Sequence, residues 1–132
     1  MSMPTQTATQ FCVSLDNKLG ALAKMSADLH KAGVNLLGLS IVESTDAGWV
    51  RLCAQPGPKA KAALKDKGYH FTTQKVLVLR PVNQPGELEK IARKLAKAGV
   101  NINYLYCTSG IASSSTLVLN VSDVDKAQAA LE

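Results

Sequence analysis

Aromatic residues are scarce in this chain, at 5% of 132 positions. That leaves little for a base-stacking platform. No apolar run approaches the ~20 residues that a membrane-spanning helix needs. The opening MSMPTQTATQ has neither the basic start nor the apolar stretch of a secretory signal. Residues 1–9 therefore read as a flexible N-terminus, with no membrane partner and with the cytoplasm as the expected location. Cysteine is limited to Cys12, Cys53 and Cys107, odd in number, far apart and each inside a strand-like run. That arrangement argues against a disulfide framework or a metal site and reads as buried thiols. The sequence has no G-x-S-x-G, no C-x-x-C and no cluster of metal ligands, and His30 and His70 are solitary. Neither an enzyme nor a cofactor is expected. Acidic residues are outnumbered, 10 against 15 basic ones, for a net charge of +5. An anionic partner could answer that surplus, but the lysines fall mostly on outward helix faces, the pattern of a solvated surface.

What the chain does have is a repeat. DNKLGALAKMSADLHKAGVNL, residues 16–36, returns 66 positions later as VNQPGELEKIARKLAKAGVNI, residues 82–102. Asn17 meets Asn83, Gly20 meets Gly86, Lys24 meets Lys90 and Leu29 meets Leu95, without a gap. Such self-similarity marks an internal duplication. After the shared glycine the apolar residues recur at helical spacing, Leu22, Met25 and Leu29 in one copy and Leu88, Ile91 and Leu95 in the other. Charged residues lie between them, so each copy predicts an amphipathic helix with one buried stripe.

Strand-like runs surround each helix. In the first copy these are 11–15, 36–44 and 48–54, with TDAG at 45–48 as a hairpin turn. A second helix over 59–67 follows the PGP boundary, and 69–75 closes the unit as a fourth strand. The second copy predicts a strand at 76–81, a helix from about 86 to 98, strands at 102–109 and 115–122, and a final helix. The expected class is α+β: two tandem ferredoxin-like βαββαβ units, 10–75 and 76–132, antiparallel sheets with helices on one face. At a constant offset the second unit lacks its last strand, so a neighbouring segment must fill that edge or the edge stays open. Strand alternation points Phe11, Val13, Leu39 and Leu52 at the helices, matched by Leu77, Leu79, Leu105 and Val118. Trp49, Tyr104 and Tyr106 fall on the opposite face.

The duplicated signature sits where a strand hands over to a helix. A helix start offers unpaired N–H groups and the positive end of the dipole, a natural seat for a carboxylate. Gly86 lets a ligand approach the backbone, Pro85 pre-sets the turn, and Asn83 carries both a donor and an acceptor. A free amino acid needs this combination. Helix capping by Asn17 and Asn83, with turns eased by Gly20 and Gly86, accounts for the same residues. Asn35 and Asn101, each after Gly-Val at a helix end, fit turn chemistry as well.

N-x-P-G at a strand-to-helix loop with A-G-V-N-I at the helix end, inside a duplicated βαββαβ unit, resembles the ACT domain family. The span from about 10 to 132 is similar to small stand-alone bacterial proteins made of two ACT domains, through LDNKLGALA, DAGWVRL, NQPGELEKIARKLAKAGVNINYLY and VSDVDKAQAALE. The resemblance implies a non-catalytic regulatory sensor that binds a free amino acid at interfaces between ACT domains. The strand-to-helix loop of one domain and the second strand of its neighbour would form the site. Carried onto this chain, it implies Asn83, Gln84, Pro85, Gly86 and Glu87 with Asn101 in the second unit. In the first it implies Asp16, Asn17, Lys18, Gly20 and Ala21 with Asn35, although Leu19 stands where proline is usual. The open edge and the open-face aromatics point to a homodimer, and with no output domain attached a separate regulated enzyme is expected to read the signal. The alternatives are an RNA-recognition-like module, which shares the βαββαβ order, and a ligand-free interaction module. The first strand's open-face positions, Cys12 and Ser14, lack the aromatics that RNA stacking requires, which weighs against nucleic acid.

Overall fold

A computed structural model describes residues 4–16, 18–42, 47–82, 85–109 and 115–132. Six strands and four helices follow in the order β1 (Thr5–Asp16), α1 (Ala21–Lys31), β2 (Asn35–Val42), β3 (Ala47–Gln55), α2 (Gly57–Asp66), β4 (Phe71–Leu79), α3 (Glu87–Lys97), β5 (Ile102–Ser109), β6 (Ser115–Val121) and α4 (Val124–Leu131). The α+β class and the antiparallel pairing are as expected. The hairpin turn expected at TDAG falls partly on Thr45 and Asp46, outside the described residues. No described helix is long and apolar enough to cross a membrane.

The chain divides into two compact units, and the second borrows residues from the start of the chain. The first unit is Ala8–Gln74; the second joins residues up to Thr7 to Lys75–Glu132. In the first unit the strand order is β2-β3-β1-β4, and the Ser14 amide donates to the His70 carbonyl at 2.9 Å just before β4. In the second it is β5-β6-β4-β1, where β1 means its first residues, Thr5–Thr7. Arg80 Nη1 donates to Gln6 Oε1 at 3.0 Å. Gln128 Nε2 donates to Thr5 Oγ1, which donates in turn to Glu132 Oε1, both at 3.0 Å. The edge left open by the short second copy is thus filled by a neighbouring segment, drawn from residues the sequence had assigned to a loose end. One strand, β4, also stands where two consecutive ones were expected at 69–75 and 76–81.

Each unit buries one stripe from each helix against the sheet. In the first unit Met25 and Leu29 of α1 and Ala60 and Leu64 of α2 pack on Phe11, Val13, Val50 and Leu52. Phe11 meets Phe71 edge to face at 5.7 Å, the arrangement aromatic quadrupoles prefer. In the second unit Ile91 and Leu95 of α3 and Ala127 and Leu131 of α4 pack on Leu77, Leu79, Leu117 and Leu119.

These pairs revise the repeat. Leu39 pairs with Leu52, but Leu105, 66 positions after Leu39, pairs with Leu119, 67 after Leu52. Ala60 and Leu64 likewise correspond to Ala127 and Leu131 at an offset of 67. The second hairpin is one residue longer than the first. Because side chains alternate across a sheet, one residue exchanges the faces. Leu119, not Val118, is therefore the helix-facing counterpart of Leu52.

Candidate functional site

The shared glycines have matching geometry in both copies. Gly20 has φ of 82° and Gly86 of 89°, left-handed values that L side chains rarely adopt. Each immediately precedes a helix. In each case the first intrahelical bond runs to the glycine carbonyl, from the Lys24 amide at 2.9 Å and from the Lys90 amide at 3.1 Å. Among the described residues no side chain caps either helix. The contrast is α4, where Asp123 accepts from the Lys126 amide at 3.0 Å. Among the described residues the starts of α1 and α3 thus lack a side-chain cap, and α3 alone carries carboxylates, Glu87 and Glu89, in its first turn.

An open-sided cavity lies beside each of these helix starts. That of the first unit, about 110 Å³, is walled by the end of β1 at Leu15 and Asp16, by Lys18, and by Ala21 and Leu22 of α1. Ile41, Gly48 and Val50 close it from the β2–β3 hairpin. That of the second unit, about 160 Å³, is walled by Pro81 and Val82 after β4 and by Glu87 and Leu88 of α3. Leu105, Cys107, Ser115 and Leu117 close it from the β5–β6 hairpin. Allowing for the extra hairpin residue, most of the linings correspond: Leu15 with Pro81, Asp16 with Val82, Ala21 with Glu87, Leu22 with Leu88, Ile41 with Cys107, Gly48 with Ser115, Val50 with Leu117. Leu22 and Leu88 are the outermost residues of their helical stripes and stay exposed at the lip, which explains why they do not join the core.

The two linings differ in polarity. In the first, Asp16 and Lys18 pair at 3.6 Å, but both are largely exposed and such a pair is worth little. In the second, the Glu87 carboxylate is only 15% exposed and lies 3.4 Å from Lys90 Nζ one turn along. The Ser115 hydroxyl lies 3.5 Å from the Pro81 carbonyl, which also accepts from the Ser115 amide at 3.2 Å. Cys107, expected as a buried thiol, is exposed and lines this cavity; of the other two, Cys12 on β1 is half-buried and Cys53 is buried.

Of the residues singled out in the sequence, Asp16, Lys18, Ala21 and Glu87 line these cavities. Gly20, Pro85 and Gly86 lie in the turns that precede the helices. Asn17, Asn83 and Gln84 lie outside the described residues. Asn35 opens β2, at the opposite end of the strand from Ile41. Asn101 precedes β5, and its polar groups are engaged there: its amide donates to Ser122 Oγ at 2.9 Å and its side chain to Asn103 Oδ1 at 3.0 Å. Asn103 donates onward to Asn120 Oδ1 at 2.8 Å. The hairpin residues Ile41, Gly48, Cys107 and Ser115 carry no motif, and only the pairing of distant strands brings them to the helix start.

The sequence from residue 6 to residue 131 matches the family model described as an ACT domain pair. The chain belongs to this family. A protein of Bacteroides thetaiotaomicron has a solved structure with a TM-score of 0.87 at 31% identity, covering 96% of this chain and 88% of its own. The ligand-free regulatory subunit of aspartate kinase from Thermus thermophilus superposes with a TM-score of 0.73 at 16% identity, over 99% of this chain and 93% of its own. The corresponding subunit from Thermus flavus gives 0.63 at 15%, over 99% and 95%. At such identities the Thermus subunits share the fold. No curated protein matches the chain.

Proposed function

We propose that this ACT domain pair is a non-catalytic regulatory sensor in which a free amino acid binds at the strand-to-helix seats. The observation that carries the reading is the recurrence of one cavity at one place in both units, beside a helix start that no described side chain caps. The dipole end suits the ligand's carboxylate. The apolar walls suit an aliphatic body, and volumes of about 110 and 160 Å³ suit a molecule of that size rather than a nucleotide. The loop residues Asn83, Gln84, Pro85, Gly86 and Glu87 form the second seat, and Asp16, Asn17, Lys18, Gly20 and Ala21 the first. The Thermus relatives that share this fold are regulatory subunits of a kinase, which supports a separate enzyme as the reader of the signal.

The strands that wall the cavities, β2 and β5, each form the outer edge of their unit's sheet. An exposed edge pairs readily with another chain, so we assign a homodimer in which a second copy brings its own edge, with Asn35 or Asn101, toward the seat.

A thermal-shift screen of the common amino acids tests the sensor reading. A ligand present at about 100 times its dissociation constant adds ~2.7 kcal/mol of stability, a rise of several degrees in Tm. If none of the amino acids raises the Tm, the reading fails.

A further inference from the structure

The two seats are built at the same place with different walls, and on the sensor reading above we infer that they are not equivalent. The second seat holds a small, hydroxyl-bearing amino acid, with Glu87 taking its ammonium and Ser115 its side-chain hydroxyl. The first seat does not take this ligand.

Three observations carry the assignment. Glu87 puts a carboxylate that is 15% exposed into the lining of the second cavity, where the first has the methyl group of Ala21. A carboxylate accepts from several donors at once, so a ligand ammonium can join those that Glu87 already has, Lys90 at 3.4 Å among them. The same charge repels a ligand with an acidic side chain. Across the cavity, Ser115 and Cys107 replace Gly48 and Ile41, so a hydroxyl and a thiol stand where the first seat offers a backbone and a butyl group. The hydroxyl can exchange its long contact to the Pro81 carbonyl, 3.5 Å, for a shorter one to a ligand. Finally, a cavity of about 150 Å³ accommodates a benzene ring, so one of about 160 Å³ takes a body of roughly six to eight non-hydrogen atoms. Serine and threonine meet all three conditions. Among its described lining residues the smaller cavity of the first unit has no buried charge to hold the ammonium, and its Asp16 and Lys18 pair with each other in solvent.

The test uses the full chain, with the common amino acids, L-serine, L-threonine, L-alanine and L-aspartate first among them, and 3-hydroxypropanoate, which is serine without its ammonium, as probes. Affinity and stoichiometry come from calorimetry, or from chemical-shift titration for weak binders. L-serine or L-threonine is expected to bind at one equivalent per chain, well ahead of L-aspartate. Glu87→Gln should lower that affinity about tenfold or more, as loss of a charge-assisted bond does, while the weaker binding of 3-hydroxypropanoate, which has no ammonium to lose, stays the same or tightens. Ser115→Ala should narrow the preference for L-serine over L-alanine. Two equivalents per chain, or an equal loss of both probes in Glu87→Gln, would overturn the seat assignment. Tightest binding by another of the common amino acids would overturn the ligand class alone, with the sensor reading intact. If none of the common amino acids binds the native chain, both fall together.

Discussion

The two units share a plan and differ in how their helices are tied down. In the first, Tyr69 donates its hydroxyl to Asp28 Oδ2 at 2.9 Å, and Lys24 Nζ lies 3.3 Å from the same oxygen and 5.3 Å from the centre of the Tyr69 ring. This clamp fastens α1 to the turn between α2 and β4. In the second unit the counterpart of Asp28 is Lys94, an ammonium where the clamp needs a carboxylate, and the exposed pairs Lys90–Glu87 and Arg93–Glu89 run along α3 instead. The second unit is stapled elsewhere, by Thr5 and Gln6 against α4 and Arg80. One copy thus uses its own side chains, and the other depends on a strand from far away in the sequence. A duplicated fold can replace an internal contact by a borrowed one because the sheet edge accepts any extended backbone with free donors and acceptors.

Removing residues 1–7 should break this comparison most visibly. The loss of strand pairing and of the Thr5 and Gln6 bonds should cost the second unit about 3 kcal/mol, or roughly 10 °C in Tm. Amide exchange should rise first in β6, α3 and α4, while α1 and α2 keep their protection. Equal loosening in both units would mean that the borrowed strand is not specific to the second.

A smaller effect tests where the copies should agree. Gly20 and Gly86 share the left-handed conformation, and a Cβ at either would meet no heavy atom within 4 Å. Gly20→Ala and Gly86→Ala should therefore each cost about 1 kcal/mol from backbone strain alone, measured by urea unfolding. Values differing by more than about 1 kcal/mol would show that the two turns are not alike.

The clamp itself should give the smallest change, and a pH-dependent one. The Tyr69 hydroxyl is the main cause that holds the Asp28 carboxyl below its ordinary 3.8, ahead of the opposing effect of burial and the support of Lys24. A lowered folded pKa means that this stabilisation is present above the ordinary carboxylate range and is lost as pH falls through the folded value. Burial, followed by the bond to Asp28, pushes Tyr69 above its ordinary 10.0, and the Asp28 bond raises Lys24 above 10.5. Their contributions hold below those values and fade as pH rises through the raised ones. Tyr69→Phe should lower the Tm near neutral pH, and the gap to the native chain should close in strong acid. A gap that stays constant down to about pH 3 would show that Asp28 is not the partner that matters.

The helices were legible because their signal is local. Leu22, Met25 and Leu29, or Leu88, Ile91 and Leu95, repeat at the helical period whatever surrounds them, and the glycines at 20 and 86 mark the turns by themselves. The duplicated strand-to-helix loop brought Glu87, Ala21, Asp16 and Lys18 to the cavity walls for the same reason. The hairpin walls were not legible. Ile41, Gly48, Cys107 and Ser115 carry no pattern of their own, and the offset of 67 beyond the second hairpin is hidden because a single extra residue leaves composition and periodicity almost unchanged.

By itself the sequence determined the repeat, the element order and the helix faces, all of which follow from side chains within a few turns of one another. Only the tertiary structure decided the register of β6, the use of Thr5–Thr7 as the missing strand and the polarity of the second cavity. Each of these depends on backbone hydrogen bonds between segments tens of residues apart. Any strand can offer such bonds, and only the completed sheet selects among them.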